Sequence, residues 1–389
     1  MRSLPALPLL SLLLLAGQDG LADDFSVIPK ASIREEYNDN IFFSEDTEKD
    51  PAQDDFITTA SLGLEMRERT ELLTANLATR IDGLAYADYN ELNDIEEYYK
   101  GSLAYQLTQF LKLSADAGYS VDSRADRDLD VTGFTSDVDV RRRQDYACAA
   151  DFQASEKTSL FTSYSYQDDQ FETNDMDEFT GQNVLAGLTR SLDLTKPTAA
   201  RLYGRYSHYD FYSSLVDNYS VTVGLSRQFS EKLSYVFDIG PRYTEGSDKR
   251  TSDTAYDSGL GGQFTLTYQE ELTTAEMNIF HEVSGSSGRD GATERTGLVL
   301  ALKHRIGERS SVRLGIDSYL NKADRDAAFV SDFNELSTTL TPSLHYEFNP
   351  LILCEASYRY TVIEDREADH ERHRNLVFVK LTYKYPVVE

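Results

Sequence analysis

The chain has 389 residues, and its 66 Asp and Glu against 38 Lys and Arg give a formal net charge of −28. No basic patch dominates, so the composition argues against nucleic acid as a partner. Only 40% of the residues are hydrophobic and the mean hydropathy is −0.47. Most segments alternate apolar and polar residues, which is typical of transmembrane barrel strands, because only every second side chain meets lipid.

The first residues have the pattern of a signal peptide. Arg2 precedes an apolar run from Leu4 to Ala16, and Gly20-Leu21-Ala22 provides small residues at a cleavage position. The run is too short for a transmembrane helix. We therefore predict a signal peptide over residues 1–22, cleavage before Asp23, and export of the chain.

The clearest repeating unit lies between Ser258 and Val283. Its first half places Leu260, Phe264 and Leu266 on one face, with Gln263 and Thr265 on the other. A period of two with one apolar side indicates a half-buried strand rather than a helix. The alternation restarts after a short turn, so the segment is predicted to be a hairpin with strands of about ten residues, long enough to cross a tilted bilayer span.

Short and long connections alternate along the chain. The short polar turns are predicted at Arg67–Thr70, Leu107–Gln109, Ser155–Lys157, Asp193–Pro197, Ser230–Lys232, Glu270–Leu272, Gly307–Ser310 and Asn349–Pro350. The longer Asp-rich loops are predicted at Ser44–Asp55, Asp88–Ile95, Asp122–Asp137, Asp168–Asp177, Asp210–Asp217, Glu245–Thr254, Ser284–Ala292, Asn321–Ser331 and Glu364–Glu371. Outer-membrane barrels have the same alternation of periplasmic turns and outside loops.

These connections predict an all-β fold, a transmembrane antiparallel up-and-down β-barrel of about 18 strands. The faint first strand leaves 16 strands as an alternative. One domain over residues 23–389 leaves no room for a separate plug domain. A soluble β-sandwich would also have strands with one apolar side, but strands this long and evenly spaced over a whole chain are unusual in that class.

Tyrosines cluster near the predicted strand ends, which suits aromatic girdles at the two membrane interfaces. The residues concerned are Tyr98, Tyr99, Tyr119, Tyr203, Tyr206, Tyr209, Tyr212, Tyr358 and Tyr360. Ordinary aromatic pairing across strands is the alternative interpretation.

Charged residues of both signs fall on the polar side of the predicted strands. The residues predicted to line the lumen are Arg80, Asp82, Lys100, Asp116, Asp145, Arg201, Arg205, Asp238, Arg242, Glu276, Arg313, Asp317 and Arg359. A mixed wall is expected in a hydrated pore, and equally in a lumen filled by networks of ion pairs. The acidic outer loops could bind divalent cations shared with lipopolysaccharide phosphates, or could simply be solvated.

No pattern predicts catalysis, a metal site or a cofactor. His370 and His373 lack a third ligand nearby in sequence. Ser207 adjoins His208 but points to the opposite face of its strand, so the two cannot form a nucleophile and base. No GxGxxG or P-loop pattern occurs. We therefore expect no enzyme activity and no cofactor.

The beginning of the predicted barrel resembles a known family. The stretch YNDNIF at Tyr37–Phe42, then DDFI at Asp54–Ile57 and the strand TTASLGLEM, resembles the opening of the putative β-barrel porin type 2 family. The similarity is strongest over about residues 30–95. It implies an outer-membrane barrel associated with exopolysaccharide production and export, and it provides no catalytic residues. One departure is the end of the chain, Tyr385-Pro-Val-Val-Glu389, where barrels often end on an aromatic residue.

The sequence thus predicts a porin-like conduit for hydrophilic solutes in a Gram-negative outer membrane, with the link to exopolysaccharide implied by the resemblance alone. The alternative is a closed structural or assembly barrel, with a lumen filled by salt bridges and with acidic loops that bind polymer or cations. The expected partners are outer-membrane lipids and lipopolysaccharide, the barrel assembly machinery, and exopolysaccharide with its export proteins.

Overall fold

The computed structural model describes residues 24–47, 51–123, 139–172, 178–285, 287, 291–323 and 333–387. This part of the chain contains one short 3-10 turn, Asn90–Leu92, and eighteen strands. The strands are β1 (Asp24–Asn38), β2 (Asp55–Arg69), β3 (Leu73–Tyr86), β4 (Asp94–Thr108), β5 (Leu111–Asp122), β6 (Arg141–Ser155), β7 (Thr158–Phe171), β8 (Phe179–Leu192), β9 (Thr198–Phe211), β10 (Ser214–Gln228), β11 (Leu233–Asp248), β12 (Thr254–Gln269), β13 (Thr273–Ser284), β14 (Thr293–Arg305), β15 (Ser310–Ala323), β16 (Phe333–Asn349), β17 (Ile352–Asp365) and β18 (His370–Lys384). Within the described residues, no helix has the length and apolarity needed to cross a membrane.

The strands form one closed barrel. Each strand pairs antiparallel with its neighbours in sequence, and β1 also pairs with β18 from Lys30↔Lys384 to Asn38↔Leu376. Closure leaves no strand edge exposed over the paired length. The predicted all-β, antiparallel up-and-down barrel of 18 strands is confirmed, and the alternative of 16 strands is wrong.

The two faces of the sheet differ in chemistry. On β10 the side chains of Val221 and Val223 are each 56% exposed on the outer surface, whereas Thr222 between them is 7% exposed on the inner face. On β2 Leu62 reaches 70% exposure on the outer face. A continuous apolar outside with polar side chains inside is the reverse of a soluble protein and suits a barrel surrounded by lipid.

The structure places most of the connections within a few residues of their predicted positions. The turns Asp193–Pro197 and Glu270–Leu272 fill the gaps between β8 and β9 and between β12 and β13. Parts of the acidic loops, including residues 124–138, 173–177 and 324–332, lie outside the described residues. We call the two ends of the barrel the short-turn end and the long-loop end.

The predicted loop Asp210–Asp217 is wrong. β9 continues to Phe211 and β10 begins at Ser214, so only two residues connect them at the long-loop end. Asp217 lies opposite His208 in the ladder, 2.9 Å from its Nδ1, and accepts a 2.6 Å hydrogen bond from Tyr206. These polar groups satisfy one another on the outer face near the rim, and in the sequence they are indistinguishable from a loop.

The aromatic prediction is correct for only part of the set. Of the predicted set, Tyr206 lies in a continuous outer row across β9–β12. The other members of the row, Tyr219, Tyr243 and Tyr256, were not predicted, and neighbouring ring centroids are 5.0–6.4 Å apart. Such a row at one level suits a membrane interface.

Three of the predicted girdle tyrosines are instead inside the barrel. The guanidinium of Arg80 lies 4.3 Å from the ring of Tyr98, Tyr203 packs against Phe161, and Tyr209 stacks with Phe179. The girdle prediction is therefore wrong for Tyr98, Tyr203 and Tyr209. Proximity to a strand end does not decide which face a tyrosine occupies.

Candidate functional site: the barrel interior

The interior at the short-turn end is open. Glu276 near the start of β13, Lys303 near the end of β14 and Arg313 near the start of β15 all lie on the inner face and are exposed. The small residue Ala301 beside Lys303 is exposed as well. Exposure of a small inner side chain such as Ala301 requires free space inside the wall, so this end of the lumen is solvated.

One wall of the interior encloses a cavity of about 750 Å³. Four of the predicted lumen residues line it: Arg80, Lys100, Asp116 and Asp145. Lys30 and Lys380, from strands on either side of the closing seam, line it too. Arg80 is held by Asp82 at 2.9 Å. The structure therefore brings these predicted residues to one hydrated space.

Arg201 and Asp238 form an ion pair across a glycine. Arg201 on β9 and Asp238 on β11 both lie beside Gly224 on β10. Arg201 Nε donates to Asp238 Oδ1 at 3.2 Å, and a second bond joins the same two groups. A Cβ at position 224 would lie 1.8 Å from Asp238 Oδ1. Only glycine leaves room for the two side chains to meet over the middle strand.

Arg242 lies at the centre of a second set of ion pairs. It contacts Asp257 Oδ2 at 2.6 Å and Glu294 Oε1 at 2.5 Å. The second contact reaches from β11 to β14, over two intervening strands, and passes the small residue Gly259. Arg205 is 3.8 Å from Glu282. Ion pairs of a buried residue such as Arg242 stabilise little by themselves, but the loss of one partner is costly.

Three further predicted residues also lie on the inner face. Asp317 lies opposite Val299 and Thr339, and Arg359 lies opposite Leu376. Arg313 lies opposite Lys303, a residue that the sequence interpretation missed. The alternation of Leu298, Leu300 and Leu302 on β14 was the signal that could have placed Lys303 inside.

The interior at the long-loop end is filled by the β13–β14 hairpin tip, which we define as Val283, Gly285, Ser287, Ala292 and Thr293. Val283 and Ala292 are buried in an apolar cluster with Phe179, Tyr209, Phe211, Val216 and Ala323. Because β8–β10 are not neighbours of β13, these contacts require the tip to cross the interior.

The strand pairing shows the same bend. The β12–β13 ladder ends at Gly262↔His281, although β12 begins at Thr254 and β13 continues to Ser284. A Cβ at Gly285 would lie 2.8 Å from the Tyr209 ring, so glycine is needed at this close approach. Beyond His281, β13 separates from β12, while β14 stays paired with β15 as far as Glu294↔Lys322. The tip beyond these pairs packs inward against β8–β10.

A buried charge cluster holds the other side of the tip. Arg143 forms a two-point contact with Asp169, at 2.7 and 2.6 Å. Arg141 binds Asp122 at 3.0 Å, and its second guanidinium nitrogen lies 3.5 Å from Ser287 of the tip. Asp169 is 1% exposed. The sequence interpretation placed Asp122 and Asp169 in acidic loops, and it was wrong because both lie within strands and face inward.

The first connection also folds over this end of the interior. The Asn40 side chain accepts from the Ser44 N–H, donates to the Ser44 carbonyl, and donates to the His373 carbonyl of β18, each at 2.9 Å. This brace holds Phe43 with a φ of 55° and 1% exposed, with the Arg374 guanidinium 4.0 Å from its ring. The YNDNIF stretch thus has a structural role, since its polar residues form an inner cap.

The histidines have local partners. His370 Nδ1 is 2.6 Å from Glu45, and His373 stacks on Tyr360. Within the described part of the chain, no group of three or more His, Cys, Asp or Glu is arranged to hold a metal ion.

No protein-family model and no curated protein matches this chain. Several solved barrels do. OccK3 (OpdO) from Pseudomonas aeruginosa has 12% identity and a TM-score of 0.48, with 97% of this chain and 100% of that chain covered. The alcaligin outer membrane receptor FauA from Bordetella pertussis has 11% identity and a TM-score of 0.44, with 95% and 77% covered. The ferric citrate transporter FecA, in its unliganded form, has 11% identity and a TM-score of 0.43, with 89% of this chain covered. This chain spans 61% of the length of that FecA chain. The likeness to all three is one of barrel architecture.

Proposed function

We propose that this chain is a porin-like conduit for hydrophilic solutes in the outer membrane, and that its resting pore is closed at the long-loop end by the β13–β14 hairpin tip. The observation that carries the proposal is the contrast along the lumen. Charged inner residues are exposed at the short-turn end, whereas Asn218, Thr244 and Asn321 are buried at the long-loop end. A hydrated vestibule below a folded-in hairpin is the arrangement of a gated pore.

The finer proposal is a solute of the exopolysaccharide class. Its support is the resemblance of Tyr37–Phe42 and Asp54–Ile57 to barrels associated with exopolysaccharide. The corresponding partners are outer-membrane lipids and lipopolysaccharide, the assembly machinery, and exopolysaccharide export proteins. Deletion of the gene should lower surface polysaccharide while leaving its synthesis in the cell intact.

The alternative is a closed structural barrel. The two-point pair of Arg143 with Asp169 and the buried pair of Arg141 with Asp122 favour it, because a packed, ion-paired interior opposes movement. The acidic outer loops would then contact polymer or cations.

Single-channel recording in planar bilayers distinguishes the two functions. The double variant Val216→Asp/Val283→Asp places two carboxylates in the apolar cluster that holds the tip, and should destabilise the closed position. We expect brief or rare conductance steps for the wild type and frequent, larger steps for the double variant. Ala301→Asp, on the open part of the inner face, is the matched control and should leave the opening frequency unchanged.

Silence of both proteins, in preparations whose heat-modifiable gel mobility shows a folded barrel, would contradict the conduit and support the structural barrel. Equal effects of Ala301→Asp and the double variant would show that any added interior charge opens the pore, and would remove the hairpin tip from the mechanism.

A further inference from the structure

Two cations oppose each other on the inner face of the open end. Lys303 on β14 and Arg313 on β15 are direct partners in the ladder, and both are exposed to the lumen. Among the residues that the structure describes, no carboxylate lies within 4.0 Å of either cation. Like charges directly opposite each other destabilise a strand pair. The chain has a net charge of −28, yet no carboxylate of the described residues contacts this pair. Glu276 lies opposite Ala301, two residues from Lys303 along the same face.

Inner-face residues connect this pair to a third cation, Lys380, at the seam. Arg313 lies opposite Ser343, whose hydroxyl is 3.2 Å from His345 Nε2. His345 is 3.9 Å from Glu355, and Glu355 lies opposite Lys380. We use the name cationic row for Lys303, Arg313 and Lys380. His345 lies between Arg313 and Lys380. Among the described residues of these strands, two carboxylates lie beside the row: Glu355, between His345 and Lys380, and Glu347, two residues from His345 on the same face of β16.

The opposite wall carries charges of both signs. In an 18-stranded ring β5 is nine strands from β14, and β6 is nine strands from β15, so each pair is diametrically opposed. Asp116 on β5 and Asp145 on β6 face the shared cavity and are exposed. Arg80 and Lys100 line the same cavity beside these carboxylates. The opposed wall is therefore mixed, whereas Lys303 and Arg313 face each other without a carboxylate in contact among the described residues.

We infer that the cationic row is a binding site for a multivalent oxyanion, a solute that carries several carboxylate or phosphate groups. The inference deepens the proposed conduit by assigning its solute class, and it rests on that function. Arg313 presents a planar guanidinium that suits two-point contact with an oxyanion, and Lys303 adds a point charge beside it. A bound oxyanion relieves the repulsion between them.

Equilibrium dialysis of the refolded barrel in neutral detergent tests the site without requiring conduction. The probes are trigalacturonate for carboxylates, tripolyphosphate for phosphates and maltotriose as the neutral control. We expect the wild type to bind at least one anionic probe and not maltotriose, and Lys303→Gln/Arg313→Gln to lose at least tenfold in affinity. Whichever anion binds more tightly identifies the group that the row recognises.

Lys112→Gln is the matched control, because Lys112 is an exposed cation on the face of β5 that carries Asp116, opposite Asp151. Its affinity should stay within twofold of the wild type, and Lys303→Arg should retain binding. Failure of the wild type to bind either anion, or an equal loss in Lys112→Gln, would overturn the site. Binding by a barrel that remains silent in bilayers would keep the site and reject the conduit, so the two failures are distinguishable.

Discussion

Gly224→Ala should break the Arg201–Asp238 ion pair. The added Cβ would lie 1.8 Å from Asp238 Oδ1 and 3.0 Å from the Phe237 carbonyl oxygen. The carboxylate must turn away, and it then loses its hydrogen bonds to the Arg201 guanidinium. Asp238 is 2% exposed, so water replaces those bonds poorly. Since a hydrogen bond to a charged group contributes about 1.5–3 kcal/mol, we expect the free energy of unfolding to fall by about that amount.

Urea titration of the barrel in lipid vesicles, followed by circular dichroism, measures this loss. Gly118→Ala is the control, because its Cβ would lie 3.5 Å from the nearest atoms, those of Asp145, which is ordinary contact. It should change the free energy of unfolding by no more than about 0.5 kcal/mol.

A double-mutant cycle gives the sharper test. In an Asp238→Ala background the carboxylate that clashes with residue 224 is gone, so Gly224→Ala should cost much less than in the wild type. Equal costs in the two backgrounds would refute the reasoning, and would mean that Gly224 is needed for the backbone rather than for the ion pair.

Two further variants test the faces and the inner cap. Val184→Arg places a charge on the lipid side of β8 and should lower the free energy of unfolding by about 2–4 kcal/mol. Its control, Asn183→Arg, projects into the 750 Å³ cavity and should fold nearly normally. Equal losses would contradict the assignment of the faces. Asn40→Ala removes the brace between the first connection and β18 and should lower the free energy of unfolding, measured by urea titration, by about 1–3 kcal/mol. Its control is Gln263→Ala, because the Gln263 amide is exposed and is bonded only to Thr265 among the described residues, so the loss should be small. A similar loss for both variants would show that the brace is not stabilising.

The sequence was sufficient to predict the class of fold because lipid constrains every second residue of each strand. Leu260, Phe264 and Leu266 could only share an outer face, and the same rule placed Arg201 and Asp238 inside together. The strand number followed from the turns, since short turns such as Glu270–Leu272 have little freedom.

The contents of the lumen could not be predicted in the same way. No lipid constrains the inner face, so its residues follow no pattern that identifies their partners. Val283 and Phe179 belong to one apolar cluster, and Arg141 contacts Ser287; in both cases the two residues are more than 100 positions apart in the sequence. Asp122 and Asp169 have the composition of loops, and only their strand neighbours show that they are buried ion-pair partners.

The closing seam between β1 and β18 has a consequence for the order of folding. Its partners are the first and last strands of the barrel, so this ladder forms only after every other strand is available. At one end the Asp39 N–H donates to the Asn375 carbonyl, and the Asn375 N–H and side-chain amide donate to the Asp39 carboxylate. At the other end the N–H groups of Tyr385 and Val387 donate to the carbonyls of Pro29 and Val27. Bringing such distant segments together carries the largest entropic cost in the chain. The additional hydrogen bonds at both ends therefore stabilise the closed ring and slow its reopening. A barrel that lacks the first or last strand cannot form them.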